Sequence, residues 1–197
     1  MPVMLQGGPF KAPVAGFHRF TVEQYHKMIE TGVLTENDRV ELLEGYVVEK
    51  MPHDPLHDGT LQLVEDAVMA LAPPGWCRLV QMVVTLTRSE PEPDFVLARG
   101  TKRSFLGRHP GPAEIGLLVE VANTTLDSDR EDKLPVYARA GVPVYWIVNV
   151  VDRQIEVFDS PSGEAYTNAR IYRPGDAVPL VVDGVTVATI PVNELLA

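Results

Sequence analysis

The chain has 197 residues, and 17 Lys and Arg against 27 Asp and Glu give a formal net charge of −10. The length fits one domain with a substantial core, and 45% hydrophobic with 22% charged residues is typical of a soluble globular protein rather than a disordered one. The acidic total argues against a protein that coats nucleic acid or an anionic membrane, although a local nucleic-acid site stays open. Cys77 is the only cysteine, which excludes an intrachain disulfide and a cysteine-based zinc cluster.

The N-terminal residues resemble neither a signal peptide nor a membrane anchor. Residues 1–20 mix Pro, Gly, Lys and His without a long apolar run. The longest apolar stretch, near Val142–Val151, is about half of what a membrane span requires. We therefore expect a cytoplasmic protein with no membrane partner. Prolines and glycines interrupt residues 1–18, which predicts a flexible arm followed by a single domain over residues 19–197.

The first half of that domain predicts two helices and a hairpin. Thr21 is a suitable N-cap for a helix that ends at Gly32. Two β-rich runs, Val40–Leu43 and Tyr46–Val48, flank Glu44-Gly45 and predict a hairpin. Apolar residues at helical spacing over residues 61–71 predict a second helix, which ends at Pro73-Pro74.

The second half predicts a sheet. Strands are expected at Leu79–Leu86 and Phe95–Leu97, followed by a mobile surface loop over Arg99–Pro112. The apolar runs Ile115–Val121 and Val144–Val150 predict strands buried on both faces.

A helix from about Asp129 to Ala140 separates these two strands, which implies a right-handed parallel crossover. Another hairpin is predicted at Ile155–Phe158 and Ala165–Ile171, with short strands before Val192–Leu196. The fold class is thus α/β, with a mixed sheet flanked by helices and additional hairpins.

One charged residue interrupts the buried strand at Ile115–Val121. Burying the carboxylate of Glu120 without a partner costs several kcal/mol, so the partner is either an Arg or Lys in an ion pair or a metal. Asp94 opens another β-rich run, and two carboxylates on neighbouring strands suit Mg²⁺. Lys133 follows on the crossover helix, where it could orient or deprotonate an attacking water.

Together, Pro93-Asp94, Glu120 and Lys133 resemble the PD-(D/E)XK nuclease constellation, and the chain from about Phe20 onward resembles the Uma2 family of bacterial endonucleases. The segments that carry this resemblance are Glu41–Gly45, His57, Glu90–Asp94, Leu118–Ala122, Asp129–Pro143 and Tyr145–Val148.

The resemblance implies a restriction-endonuclease-like core and metal-assisted hydrolysis of DNA. Asp94 and Glu120 would hold Mg²⁺ or Mn²⁺, and Lys133 would position or activate the nucleophile. Glu41 corresponds to the family's upstream acid, with a solvent-facing strand carboxylate as the alternative. His57 matches a position that is often His, and a capping or surface role is its alternative.

The chain departs from the nuclease pattern at two positions. Ala122 stands where the general motif has Lys, and in the Uma2 family this lysine has moved to the following helix, at the position of Lys133. Asn149 stands where many relatives have Asp, a difference expected to affect a turn more than catalysis.

Other patterns in the sequence have competing interpretations. His53 and His57 have the spacing of an HD-type metal pair, but Pro52 and Pro55 argue against a continuous helix there and further ligands are missing.

For two further patterns, a role in the fold is a better interpretation than a role in binding or catalysis. The acidic run Asp127–Asp132 lacks the glycine of an EF-hand and fits a capping box made by Ser128 and Glu131, with a helix start nearer Asp132 because of Pro135. Asp129 could still serve the site. Tyr145 and Trp146 are expected in the core rather than stacked on bases.

The favoured function is a Mg²⁺-dependent endonuclease acting on DNA. The alternative is a catalytically inactive nuclease-fold domain that binds nucleic acid or a protein partner. DNA contact in so acidic a chain would depend on the metal and on local cations, namely Lys102, Arg103, Arg108 and Arg130. Exposed sheet edges and the family resemblance predict a homodimer.

Overall fold

The computed structural model describes residues 16–197. The predicted arm at residues 1–18 lies outside the described residues over positions 1–15, and the predicted domain boundary stays a prediction. Within the described part of the chain, none of the helices combines the length and the apolar composition needed to cross a membrane.

The first helix and hairpin form where the sequence predicts them. Helix α1 spans Val22–Glu30, and the Thr21 hydroxyl accepts the Gln24 amide at 3.1 Å while the Gln24 side chain accepts the Thr21 amide at 2.9 Å. This reciprocal capping box fixes the start of the helix. Strands β1 (Val40–Leu43) and β2 (Tyr46–Glu49) pair in antiparallel fashion around a turn whose two residues both have positive φ, as a tight hairpin requires.

Helix α2 spans Pro55–Leu71 and therefore begins before the predicted apolar face. The Asp54 carboxylate accepts the amides of Leu56 and His57 at 2.9 and 3.0 Å, and Pro55 occupies the first turn, where its missing N–H costs nothing. The helix thus includes His57 but not His53, which confirms that no continuous helix carries both imidazoles.

A six-stranded sheet forms the centre of the part that the structure describes, in the order β3-β4-β5-β6-β7-β8. The strands are β3 (Trp76–Val80), β4 (Phe95–Arg99), β5 (Ile115–Ala122), β6 (Val144–Asn149), β7 (Gln154–Ser162) and β8 (Ala165–Tyr172). Strands β5 and β6 are parallel, and the other neighbours are antiparallel. Strands β9 (Ala177–Val182) and β10 (Val185–Pro191) form a separate hairpin. The predicted mixed α/β class is confirmed.

One predicted strand has the wrong bounds, and one predicted loop contains a short helical turn. Strand β3 ends at Val80 rather than Leu86, because Gln81 adopts a left-handed conformation (φ 48°) that takes the chain out of the sheet. The segment predicted as a surface loop over residues 99–112 contains a 3₁₀ turn at Lys102–Phe105, and the Phe105 side chain is buried.

The crossover between β5 and β6 is helical from residue 126 onward. It comprises α3 (Leu126–Ser128), a π-helical turn (Asp129–Lys133) and α4 (Leu134–Ala140). The predicted capping box and the predicted start near Asp132 are both wrong, since Ser128 is itself helical and its hydroxyl donates to Asp132 at 2.9 Å. The wider π turn ends two residues before Pro135, whose ring does not fit a regular helix interior.

The core lies on both faces of the sheet, with α2 and the β9–β10 hairpin on one face and α4 on the other. Trp146 points into the first layer and Tyr145 into the second, and both are fully buried. Their predicted place in the core is confirmed, which excludes base stacking. Strand β5, central in the sheet, carries Glu120, one of the acidic residues discussed next.

Candidate active site

One open cavity is lined by the residues that the sequence singles out. Its walls come from β1, the start of α2, the residue before β4, the end of β5 and the crossover helix. The cavity is lined by Glu41, His57, Asp94, Glu120, Asp129 and Lys133, among others.

Asp94 immediately precedes β4, and its buried carboxylate is held from two sides. Its Oδ2 accepts the Val121 amide at 2.7 Å and lies 3.0 Å from His57 Nε2. Burial would raise the pKa of Asp94, but the hydrogen bond and charge of His57 outweigh it and lower that pKa. Burial in turn disfavours the imidazolium form of His57, yet its contact with Asp94 raises the pKa of the imidazole. Asp94 therefore stays ionised.

Glu120 lies near the end of β5 with its side chain directed into the cavity. Phe95 pairs with Val119 in the sheet, so this register sets Asp94 beside Glu120. Glu120 Oε1 accepts the Tyr137 hydroxyl at 2.7 Å and lies 3.1 Å from Lys133 Nζ. Burial raises the pKa of Glu120 well above its ordinary value, although Lys133 opposes that shift.

Lys133 extends from the crossover helix into the cavity wall, and 13% of its side chain is exposed. The π turn presents Asp129 and Lys133 to the same side, and Lys133 Nζ lies 3.4 Å from Asp129 Oδ1. Burial alone would lower the pKa of Lys133, but the charges of Glu120 and Glu41 outweigh it and raise that pKa. The ammonium is therefore positively charged in the metal-free protein.

Asp129 is almost fully buried and only partly hydrogen-bonded. The Thr125 hydroxyl donates to its Oδ2 at 2.7 Å, while within residues 16–197 Oδ1 has only the long 3.4 Å ion-pair contact with Lys133 and no regular hydrogen bond. Burial raises the pKa of Asp129. The residue thus belongs to the acidic cluster, as the sequence allowed.

Glu41 on β1 is buried, so its alternative interpretation as a solvent-facing carboxylate is wrong. Its Oε2 accepts the amide of Glu92 at 3.0 Å, and Glu92 pairs with Lys50 at 2.7 Å. The capping role considered for His57 belongs to Asp54 instead, and a surface role is excluded because His57 is buried.

The donor set fits a hard divalent cation. Oxygen ligands are what Mg²⁺ and Mn²⁺ prefer, and Lys133 offers one positive charge against the carboxylates of the cluster. Asp129 Oδ1 faces the Lys133 ammonium at 3.4 Å without a regular hydrogen bond, so it is a further buried acceptor that a cation or its water shell would satisfy. A magnesium or manganese ion is thus compatible with the residues that line the cavity.

Comparison with known proteins identifies the family. A family model described as "Uma2: Putative restriction endonuclease" matches residues 22–192, most of the chain. The chain belongs to the Uma2 family. The fold is similar to that of a solved structure described as "a putative nuclease belonging to DUF820 from Anabaena variabilis ATCC 29413", with a TM-score of 0.69 and 13% identity over 89% of this chain and 97% of that one. No curated protein matches.

The departures of this Uma2 chain from the nuclease pattern have a physical basis. Ala122 is buried at the end of β5, and the ammonium beside Glu120 comes from Lys133 on the next helix. Asn149 accepts the Asp152 amide at 2.9 Å and donates to the Asp152 carboxylate at 2.9 Å, so its role in a turn is confirmed.

One contact residue, Tyr137, was not predicted as part of the site, and two predicted cations have other partners. Tyr137 donates to Glu120 from 17 positions away, and its only signal is its place in the Asp129–Pro143 run. Two of the expected DNA-contacting cations are paired instead: Arg108 with Glu114 and Arg130 with Glu156.

Proposed function

We propose that this Uma2 protein is a metal-dependent endonuclease that hydrolyses phosphodiester bonds in DNA. The observation that carries the proposal is the contact between Lys133 Nζ and Glu120 in a buried acidic cavity that also contains Asp94. The Uma2 family description and the nuclease-like fold support a nuclease role.

Asp94 and Glu120 would hold Mg²⁺ or Mn²⁺, with Asp129 or Glu41 as further oxygen donors directly or through water. Such an ion, when bound, lowers the pKa of a coordinated water and neutralises charge that develops on the phosphate. His57 and the Val121 amide fix the Asp94 carboxylate before any ion arrives, which limits the reorganisation that binding requires.

Lys133 is the residue that acts on the attacking water or on the phosphate. Its ammonium is charged while Glu120 and Asp129 stand beside it, so it donates hydrogen bonds and stabilises developing negative charge. A role as general base requires prior loss of this proton, which the surrounding carboxylates disfavour. Of the two roles considered for Lys133, positioning is therefore preferred over activation.

Contact with DNA in this acidic chain requires cations that are not already paired. Lys102 and Arg103 lie exposed on the 3₁₀ turn after β4, whereas Arg108 and Arg130 form ion pairs. Because only two of these four cations are free of the ion pairs named here, we expect weak binding.

Cleavage assays test the proposal. Supercoiled plasmid and labelled single- and double-stranded oligonucleotides are incubated with Mg²⁺, Mn²⁺ or EDTA. The variants are Asp94→Asn, Glu120→Gln and Lys133→Met, with Lys27→Met, an exposed lysine on α1, as the matched control. We expect metal-dependent cleavage that falls about 100-fold or more in the three site variants and is unchanged in the control.

Cleavage that persists in the site variants would point to a contaminating nuclease and refute the assignment. No cleavage by the wild-type protein on any substrate, with DNA binding retained in an anisotropy titration, would favour the inactive nuclease-fold domain instead.

We also propose that the protein is a homodimer. Within residues 16–197, strands β3 and β8 each have a neighbour on one side only, and such edges invite pairing with a second copy. Light scattering during size-exclusion chromatography tests this, and a monomeric mass across the micromolar range would contradict it.

A further inference from the structure

A second group of metal-ligating atoms lies at the rim of the cavity, on the far side of His57 from Asp94. The group consists of His53, His57 and Asp58, each of which offers an atom within 4.8 Å of the others. Asp58 Oδ1 lies 3.3 Å from His57 Nδ1 and 3.7 Å from His53 Nδ1. The nuclease mechanism proposed above uses neither His53 nor Asp58.

The start of α2 produces this cluster. Asp54 caps the helix, so His53 lies just before the cap while His57 and Asp58 lie in the first turn. The two imidazole rings stack with centroids 4.2 Å apart. His53 and Asp58 are accessible, with 36% and 56% of their side chains exposed, whereas His57 is buried.

The contact between His57 Nε2 and Asp94 determines whether His57 Nδ1 can bind a cation. Asp94 Oδ2 lies 3.0 Å from His57 Nε2, and an ionised carboxylate accepts a proton rather than donating one. The neutral imidazole therefore carries its proton on Nε2, which leaves the lone pair of Nδ1 facing Asp58. Metal-binding histidines usually bind the metal through one ring nitrogen and donate the N–H of the other to a carboxylate.

We propose that His53, His57 and Asp58 bind a divalent cation of the zinc class, such as Zn²⁺, Co²⁺ or Ni²⁺. Ligands about 2.0–2.1 Å from a tetrahedral zinc ion lie about 3.3 Å from each other, close to the separations of 3.3 and 3.7 Å found here. Two imidazole nitrogens favour a zinc-class ion, whereas the all-oxygen cluster at Glu120 favours Mg²⁺.

Two small adjustments accompany binding. The Gln81 side-chain amide lies 2.9 Å from His53 Nδ1, so the cation displaces that hydrogen bond. The exposed His53 ring must also tilt out of its stack so that its lone pair meets that of His57. Both side chains that move are at the surface, and the buried His57–Asp94 pair is unchanged. The occupied site would therefore keep the His57 proton on Nε2, which donates it to the Asp94 carboxylate, and would connect the two metal sites through one imidazole.

Calorimetric titration with Zn²⁺ tests the proposal. The protein is the full chain, prepared without a histidine tag. A parallel titration with Co²⁺ is followed by visible absorption. Both titrations include excess Mg²⁺ to occupy the acidic cluster. The variants are His53→Ala and Asp58→Asn, and His109→Ala is the matched control because it removes an exposed histidine elsewhere. Glu120→Gln perturbs the acidic cluster without touching the proposed ligands.

We expect one equivalent of Zn²⁺ and visible Co²⁺ bands in the wild-type, His109→Ala and Glu120→Gln proteins. His53→Ala and Asp58→Asn should each weaken Zn²⁺ binding about tenfold or more. Equal Zn²⁺ affinity in His53→Ala and the wild type would overturn the proposal. Absence of Zn²⁺ binding by the wild type would also overturn it, and would mean that a proton on His57, rather than a metal, bridges the cluster. Binding lost in Glu120→Gln but kept in His53→Ala would also overturn it and would leave the nuclease proposal intact.

Discussion

Replacing Lys133 by methionine removes the ammonium that pairs with both Glu120 and Asp129. The side chain keeps its approximate length and apolar stem, so the change mainly deletes charge. At 3.1 Å and an effective dielectric constant of about 20, the attraction to Glu120 alone is about 5 kcal/mol. Removing one partner of a buried ion pair typically lowers the free energy of unfolding by about 3–5 kcal/mol, and we expect a loss in that range at pH 8.

The loss should depend on pH. Without Lys133, the pKa values of Glu120 and Asp129, already raised by burial, rise further above their values in the unfolded chain. A carboxyl group with a raised folded-state pKa contributes stability in its protonated form, present below the unfolded pKa and lost as pH rises through the folded pKa. The variant should therefore be closer to the wild type at pH 5 than at pH 8.

Urea unfolding at both pH values, in EDTA, measures this prediction. The control is Lys27→Met, whose partner Glu30 is exposed, so that its loss should stay below about 1 kcal/mol at either pH. Adding Glu120→Gln to Lys133→Met should recover part of the loss, because the buried charge that was left without a partner is then gone. A loss below about 1 kcal/mol at pH 8, or the same loss at both pH values, would refute the reasoning.

Three further predictions concern the same core and site. Tyr137→Phe should lower the free energy of unfolding by about 2 kcal/mol, measured by urea unfolding, because buried Glu120 loses its 2.7 Å hydrogen bond. Mn²⁺ binding should release protons, since burial raises the pKa values of Glu120 and Asp129; calorimetric enthalpies that agree in two buffers of different ionisation enthalpy would contradict this. Gly116→Ala should cost about 1–3 kcal/mol in thermal unfolding, because the new Cβ would overlap the Trp76 ring, and an unchanged melting temperature would contradict it.

Apolar patterning was sufficient to predict the centre of the fold. Strands β5 and β6 are continuous apolar runs and are buried along their whole length, so local composition and final environment agree. The same agreement makes Glu120 conspicuous, because a carboxylate inside such a run needs a partner that the strand itself does not supply.

The errors occur where distant parts of the chain meet or where the backbone leaves regular geometry. Pro135 is accommodated by the π turn before it, a conformation that residue spacing does not reveal. The end of β3 depends on the left-handed conformation of Gln81, a residue type with no strong preference for it.

The contacts within the site also could not be derived from spacing along the chain. Asp94 and Val121 are 27 positions apart, and the amide-to-carboxylate bond between them depends on the register of β4 against β5. His57 and Asp94 are 37 positions apart and meet because capping by Asp54 sets the first turn of α2. The sequence could nominate these residues as candidates, but only the packed sheet and helix determine their pairing.

The charge balance of the cavity connects stability with the proposed chemistry. Glu41, Asp94, Glu120 and Asp129 surround Lys133, while Lys50, also in the cavity lining, pairs with Glu92. Burial disfavours ionisation of Glu120 and Asp129 in particular. Such an arrangement costs stability in the metal-free protein, because each buried carboxylate needs a proton or a cation. Under the proposed function, divalent metal binding would stabilise the folded chain, and the melting temperature should rise with Mn²⁺ concentration in the wild type but less in Glu120→Gln. A melting temperature that does not change with Mn²⁺ concentration would mean that Lys133 and bound protons already neutralise the buried carboxylates. That result would contradict the proposal of a metal-dependent nuclease.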